Sequence, residues 1–195
     1  MGRPTRSTLA LFAVVFALQT LGGVVGIGAG AFALAVPLFD RPWTIVTSVY
    51  AHASLWHLLA NAFAFVLVGP LVARVTTSVR FHAFFVGTGA IAGILQVLLT
   101  GLFGGAAVLG ASGAIFALFG YLFVGNRVSE RVLSWLPLDR RGRLVLFAAL
   151  AVLLTIATAA PGVAVIAHFV GFSLGVVAGR GRILHVTNRN GDRRR

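Results

Sequence analysis

The strongest constraint on this chain is the placing of its few charges, which leaves four long stretches without a charged side chain. These stretches are residues 7–39, 42–73, 81–126 and 144–179. A helix needs about 20 apolar residues to cross a bilayer. The first two stretches can each hold one such helix. The last two are long enough for a pair each, and Pro161 and Gly162 mark a turn within the fourth.

We therefore predict an all-α membrane protein built from six transmembrane helices. The predicted spans are, in order, residues 9–29, 45–72, 82–100, 107–125, 144–159 and 163–179. Helices are expected because backbone polar groups in hydrocarbon have to be satisfied within their own segment. The composition agrees, since 58% of the residues are hydrophobic, only 10% are charged, and the mean hydropathy is +0.97.

The 16 basic residues, all of them arginine, predict the orientation. With a cytoplasmic N-terminus, every arginine except Arg41 falls on the cytoplasmic side, as the positive-inside rule requires. The prediction is a multi-pass cell-membrane protein with a cytoplasmic N-terminus (1–8), a six-helix core (9–180) and a basic cytoplasmic tail (181–195). The net charge of +12 is assigned to contact with anionic lipid head groups, so no nucleic-acid partner is predicted.

Three polar residues on three different predicted helices lie at a similar depth. Counted from the nearest cytoplasmic arginine, Ser112 lies about 22 Å, Asn61 about 20 Å and His168 about 18 Å into the membrane. His57 precedes Asn61 by four residues and shares its helix face. Because the hydrocarbon is about 30 Å thick, this level lies about 10 Å below the outer surface. Polar side chains at such a depth usually mark function.

Small residues form a line along two of these helices and predict that the two pack closely. One line follows His168 and the other follows Ser112, and their members are Gly171, Gly175 and Gly179 on the later helix and Gly113, Ala117 and Gly120 on the earlier one. Such lines let membrane helices approach each other. If the two lines meet, the Ser112 hydroxyl comes within hydrogen-bond distance of the His168 ring.

A serine beside a neutral histidine predicts nucleophilic catalysis, because the histidine can take the hydroxyl proton. The oxyanion then needs donors, for which His57, Asn61 and the Ser112 backbone N–H are candidates. Gly110 and Gly113 would allow the tight turn that exposes the serine. No acidic residue lies within the predicted helices, so a Ser–His dyad is expected instead of a triad. With no cysteine in the chain, a thiolate nucleophile is excluded.

Three motifs contain the candidate residues, and in chain order they are HASLWHLLAN (52–61), GASG (110–113) and AHFVGFSLG (167–175). These motifs resemble those of the rhomboid intramembrane serine proteases. The resemblance covers about residues 9–180 and implies a six-helix rhomboid core. It also implies Ser112 as nucleophile, His168 as general base, and an oxyanion hole made by His57, Asn61 and the Ser112 backbone N–H.

The resemblance further implies supporting roles near the dyad. Phe116 would stack on the histidine ring, His52 would support the site without doing chemistry, and the glycines of the third motif, Gly171 and Gly175, would bring the helices together. The implied substrates are transmembrane segments of other membrane proteins, which would reach a site that opens toward the extracytoplasmic side. No cofactor and no metal are implied.

The chain departs from the family pattern at three points outside these motifs, one of which is a short loop before Trp43. Many rhomboids carry Trp-Arg in the first external loop, whereas here Thr44 follows Trp43. A glutamate common near the cytoplasmic end of the second helix is replaced by Ala73. These positions concern loop anchoring and gating, so they bear on rigidity and substrate access and not on the chemistry.

Three other interpretations of the sequence stay open at this point. The first is a catalytically inactive relative that binds and escorts membrane proteins. The second is a small transporter or channel, although the cytoplasmic halves of the predicted helices are almost wholly apolar. The third is a metal site built from His52, His57 and His168, which lacks any nearby carboxylate.

Overall fold

The computed structural model describes residues 2–101, 107–124 and 165–186, with a few isolated positions between 139 and 149. In these ranges the regular structure is helical, apart from a single antiparallel pairing of Leu34 with Val108. The helices are α1 (Arg3–Val24), α2 (Thr44–Thr47), α3 (Leu55–Ala73), α4 (Ser78–Gly101), α5 (Ser112–Phe123) and α6 (Val165–Arg180). The predicted helix 144–159 lies almost wholly outside the described residues.

Three of the helices, α1, α3 and α4, are long and apolar enough to cross a membrane. α5 and α6 are shorter and also apolar. α5 forms the centre of the bundle, because every residue from Ser112 to Leu122 is buried and its neighbours are α3, α4 and α6. A helix that is apolar on all sides belongs in a protein interior. The fold therefore surrounds the short helix that begins at Ser112.

The second predicted span, 45–72, is interrupted in the structure. α2 covers only Thr44–Thr47, and α3 begins at Leu55. The break is stabilised by Ser54, whose hydroxyl accepts a hydrogen bond from the His57 backbone N–H at 3.1 Å and so caps α3. As a result His57 is in the first turn of α3, while His52 lies ahead of the helix.

The fourth predicted span, 107–125, also begins later than predicted. The segment before Ser112 is extended, and Val108 exchanges two backbone hydrogen bonds of 2.8 Å with Leu34. Gly110 then adopts a φ of +131°, a conformation that L side chains rarely adopt, while its N–H donates to the Ser48 carbonyl at 2.8 Å. This turn sets the start of α5 at Ser112.

The loop that follows α1 is anchored by two side chains. Arg41 donates to the carbonyl oxygen of Gly30, and the Trp43 indole N–H donates to the carbonyl oxygen of Ala31 at 2.9 Å. Both acceptors lie in a short 3-10 turn, Ala29–Ala31. The chain lacks an arginine directly after Trp43, and Arg41 on the other side of the tryptophan bonds the loop backbone instead.

One end of the bundle carries the arginines of the helix termini, and here the chain after α6 folds back against the helices. The Val186 N–H donates to the Val75 carbonyl at 3.1 Å, and the Tyr121 hydroxyl is 2.9 Å from His185 Nδ1. At the same end, Ser7 Oγ lies 2.8 Å from His82 Nε2 and joins α1 to α4. Both histidines, which had no role in the sequence analysis, thus connect separate elements.

Replacing Tyr121 with phenylalanine is expected to lower the free energy of unfolding by about 1 kcal/mol, because a partly buried hydrogen bond between side chains is lost. Thermal unfolding in detergent measures the effect. Tyr50→Phe is the matched control, since Tyr50 is also buried and its hydroxyl makes no hydrogen bond among the described residues. Equal unfolding temperatures for the two variants would show that the Tyr121–His185 contact does not stabilise the fold.

Candidate active site

The central feature of the site is a contact between α5 and α6. Ser112 is the first residue of α5, and its Oγ lies 2.8 Å from His168 Nε2. Both side chains are buried, with exposed fractions of 6% and 5%. Because the hydroxyl faces a ring nitrogen at hydrogen-bond distance, the histidine is placed to accept the serine proton.

Glycine is what allows α5 and α6 to approach so closely. A Cβ at Gly171 would collide with the carbonyl oxygen of Gly113, and a Cβ at Gly175 would collide with that of Ala117. In the other direction, a Cβ at Gly120 would collide with the carbonyl oxygen of Phe172. Backbone therefore packs on backbone along this interface, as small residues permit in membrane helices.

The His168 ring is held from the side by an aromatic contact. Phe116, one turn after Ser112 on α5, stacks on it with a centroid distance of 4.3 Å and an interplanar angle of 14°. Phe116 is itself buried. The stacking limits rotation of the imidazole, so it helps to keep Nε2 directed at the serine.

His57 lies beside the turn that leads to Ser112. A methyl group added at Gly110 would lie 2.9 Å from His57 Nε2, so the imidazole occupies the space that this glycine leaves open. The Ala53 N–H donates to His57 Nδ1 at 3.4 Å. A neutral imidazole that accepts at Nδ1 carries its hydrogen on Nε2. His57 is thus a hydrogen-bond donor on the side that faces the serine turn.

Asn61 and His52 support His57 from two sides. The Asn61 side chain is buried and donates to the His57 carbonyl oxygen at 2.9 Å. The His52 ring packs edge-on against the His57 ring, with centroids 5.2 Å apart, and also against Phe12 at 5.0 Å. Among the described residues, neither the Asn61 nor the His52 side chain bonds directly to Ser112. Both therefore act on the dyad by holding His57 in place.

Two glutamines near the site were missed by the sequence analysis. Gln19 Oε1 accepts a hydrogen bond from the His52 backbone N–H at 2.9 Å, and Gln96 Oε1 accepts one from the Ala167 backbone N–H at 3.0 Å. They are the chain's only glutamines, and each lies within a predicted span. The cost of a polar side chain in a membrane helix was the signal that could have identified them.

The described residues contain no group of three or more His, Asp or Glu side chains placed to hold a metal ion.

The structure defines a multi-pass helical membrane protein in which a buried serine and histidine form a hydrogen-bonded pair.

Comparison with known proteins agrees with this description. The Rhomboid domain family matches residues 40–184. YdcA of Bacillus subtilis, named as a rhomboid protease, is 37% identical over 83 residues, which are 42% of this chain and 41% of YdcA. The rhomboid protease GlpG of Haemophilus influenzae is 25% identical over 135 residues, or 67% of each protein. RHOMBOID-like protein 5 of Arabidopsis thaliana is 28% identical over 138 residues, covering 70% of this chain and 43% of the plant protein.

The chain belongs to the rhomboid family, since the family match covers well over half of its length. The resemblance inferred from the three sequence motifs is confirmed at this level. The chain spans less than half the length of two of the relatives described above and 67% of the third.

Proposed function

We propose that this protein is an intramembrane serine endopeptidase that cleaves transmembrane segments of other membrane proteins. The single observation that carries the proposal is the 2.8 Å contact between Ser112 Oγ and His168 Nε2 inside an apolar helical bundle. A buried serine hydroxyl next to a histidine nitrogen has the arrangement of an activated nucleophile. Membership of a family with protease-named relatives supports the same chemistry.

In the proposed reaction, Ser112 Oγ attacks the carbonyl carbon of the scissile peptide bond while His168 Nε2 takes the hydroxyl proton. The tetrahedral intermediate collapses when the protonated His168 gives this proton to the leaving amine, which breaks the C–N bond and leaves an acyl ester on Ser112. A water molecule then attacks the ester, with His168 again taking and returning the proton. The products are two peptides and the unchanged enzyme.

The oxyanion of the intermediate is proposed to lie at the start of α5. The Ser112 N–H belongs to the first turn of this helix, where backbone N–H groups have no partner within the helix and the helix dipole favours negative charge. The His57 Nε2–H group lies beside Gly110, two residues before this helix, and Asn61 holds the His57 backbone and retains a second amide hydrogen. These three groups are the proposed oxyanion hole, and stabilisation of this kind is often the largest catalytic term.

The proposed catalytic unit is a Ser112–His168 dyad, since no acidic residue lies within the predicted helices. In serine hydrolases with three catalytic residues, an acid holds the histidine in the productive orientation. Here the stacking of Phe116 and the backbone contact of Gly171 with Gly113 restrict the ring and its helix. These contacts are proposed to help to orient the imidazole, which is the role of the acid in a triad.

The substrate is proposed to arrive sideways from the lipid bilayer and to unwind near the dyad. With a cytoplasmic N-terminus, the site lies about 10 Å below the outer surface and opens toward the extracytoplasmic side. A helical segment hides its carbonyl groups in its own hydrogen bonds. Segments that contain glycine or proline unwind most readily and are the expected substrates.

A fluorophosphonate probe tests this proposal, because it labels only serines whose hydroxyl is activated. We expect covalent labelling of the wild-type protein at Ser112, located by mass spectrometry of the labelled peptide. Labelling should disappear in Ser112→Ala and slow by a factor on the order of 10³ in His168→Ala. A folded wild-type protein that takes up no label would instead favour an inactive rhomboid-like factor that binds membrane proteins.

A further inference from the structure

The two glutamines of the chain share an arrangement that the proposed mechanism does not use. Each lies in a membrane-spanning helix, and each side-chain oxygen accepts a backbone N–H at or next to a histidine of the site. Gln19 on α1 bonds His52, and Gln96 on α4 bonds Ala167, the residue before His168. Burying an amide side chain in an apolar helix costs free energy unless the amide is hydrogen-bonded. Each of the two contacts supplies such a hydrogen bond to one of the glutamines.

Gln96 lies where three helices meet beside the dyad. One turn before it on α4, Ala92 would be 3.0 Å from a methyl group added at Gly113 of α5. The same methyl group would lie 3.6 Å from the carbonyl oxygen of Ala167 on α6. The side chain of Gln96 has an exposed fraction of 3%, so it reaches α6 through the packed interior. Helices α4, α5 and α6 are therefore in contact at the level of Ser112 and His168.

The bond that Gln96 makes acts on the backbone of α6. Ala167 lies on this helix directly before His168, and its N–H donates to Gln96 Oε1 at 3.0 Å. The Gln96 oxygen supplies one acceptor from a neighbouring helix, so α6 is held both along its axis and in rotation. Because Ala167 immediately precedes His168, any motion of the Ala167 backbone would also move the imidazole.

We infer that Gln96 is a positioning residue, which bonds the backbone of α6 from α4 and so holds His168 at hydrogen-bond distance from Ser112. The inference rests on the proposed function. Gln96 touches neither the dyad nor the substrate in this role. It acts through the backbone of α6, much as the Phe116 ring acts through the imidazole face.

Two substitutions of Gln96 separate the hydrogen bond from the packing. Gln96→Met keeps the length of the side chain and removes the acceptor, whereas Gln96→Glu keeps an acceptor oxygen of the same reach. For cleavage of a transmembrane substrate in liposomes, we expect Gln96→Met to lower kcat about 10- to 100-fold with KM unchanged within about twofold. Fluorophosphonate labelling of Ser112 should slow by a similar factor. Gln96→Glu should keep kcat within about threefold of wild type.

A purely structural role would lower the yield and the unfolding temperature but not kcat per folded molecule, so both rates are normalised to folded protein. Thr88→Val is the matched control, because Thr88 is also buried on α4 and its hydroxyl bonds only within that helix. Should Gln96→Met not fold, Gln96→Asn is scored in the same way, since its amide is one methylene too short to reach α6.

The outcomes distinguish this inference from the proposed function. Wild-type kcat and labelling rate in Gln96→Met, or an equal loss in Thr88→Val, overturn the positioning role while the dyad stands. A wild-type protein that neither cleaves nor takes up label overturns the proposed function, and the inference with it.

Discussion

Replacing Ser112 with alanine is expected to abolish peptide-bond cleavage and to leave the protein folded. The hydroxyl is the proposed nucleophile, and removal of the nucleophilic serine from known serine hydrolases lowers kcat by roughly 10⁴-fold or more. The fold should survive, because α5 and α6 are joined by backbone contacts at glycines that the substitution leaves intact. The measurement is the cleavage rate of a transmembrane substrate reconstituted with the enzyme in liposomes, together with the thermal unfolding temperature.

Ser173→Ala is the matched control for this experiment. Ser173 lies on α6, five residues after His168, and among the described residues its hydroxyl makes no bond to the dyad. Its loss should change the rate by less than about twofold. His168→Ala should resemble Ser112→Ala, and the double variant should be no slower than either, because the two residues act as one unit. Cleavage at the wild-type rate by Ser112→Ala would rule out the mechanism.

The parts of the site that lie on regular helix could be predicted from the sequence. His57 and Asn61 are four residues apart, and this spacing places both in adjacent turns of α3. The glycines after His168 likewise predicted a close approach to the helix of Ser112, since small residues at helical spacing are a local signal. The structure has Gly171 against Gly113 at this interface.

The sequence analysis did not predict the interruptions of the helices, of which the first involves a local cap and the second a contact between distant residues. Residues 45–72 carry no charged side chain, and the Ser54 cap marks the start of α3 at Leu55. Residues 107–111 are also apolar, yet Val108 pairs with Leu34, which is distant in sequence. Hydropathy indicates whether a segment is apolar enough for the lipid bilayer, but it does not indicate which segment its backbone hydrogen-bonds with.

The contact between Gln96 and Ala167 could not be predicted for a similar reason, because its two partners lie on different helices. A glutamine in a predicted span is conspicuous, but its partner is a backbone N–H on another helix, and every residue has such a group apart from proline. No motif marks that partner. Side chains that bond backbone across helices therefore become visible only when the helices have been placed.

Replacing Gly171 with alanine is expected to have the largest effect on activity among the substitutions outside the dyad. The added Cβ would collide with the Gly113 carbonyl oxygen, a backbone atom that cannot rotate away, so the helices α5 and α6 must separate. Gly113 directly follows Ser112, and Gly171 lies one turn after His168, so the separation lengthens the contact between Oγ and Nε2. A displacement of about 1 Å is enough to lower a rate on the order of 100-fold. Overpacking of this kind also destabilises by about 1–3 kcal/mol.

Gly87→Ala separates this effect from that of losing a helical glycine. Gly87 lies within α4 and has nothing within 4 Å of an added Cβ, so alanine fits there and should raise helix stability by up to about 1 kcal/mol. The two variants are compared by cleavage rate, fluorophosphonate labelling and unfolding temperature. We expect Gly171→Ala to lose rate and stability and Gly87→Ala to lose neither. If Gly171→Ala unfolds at a lower temperature but labels at the wild-type rate, then the dyad tolerates a wider helix separation, and close backbone packing serves stability alone.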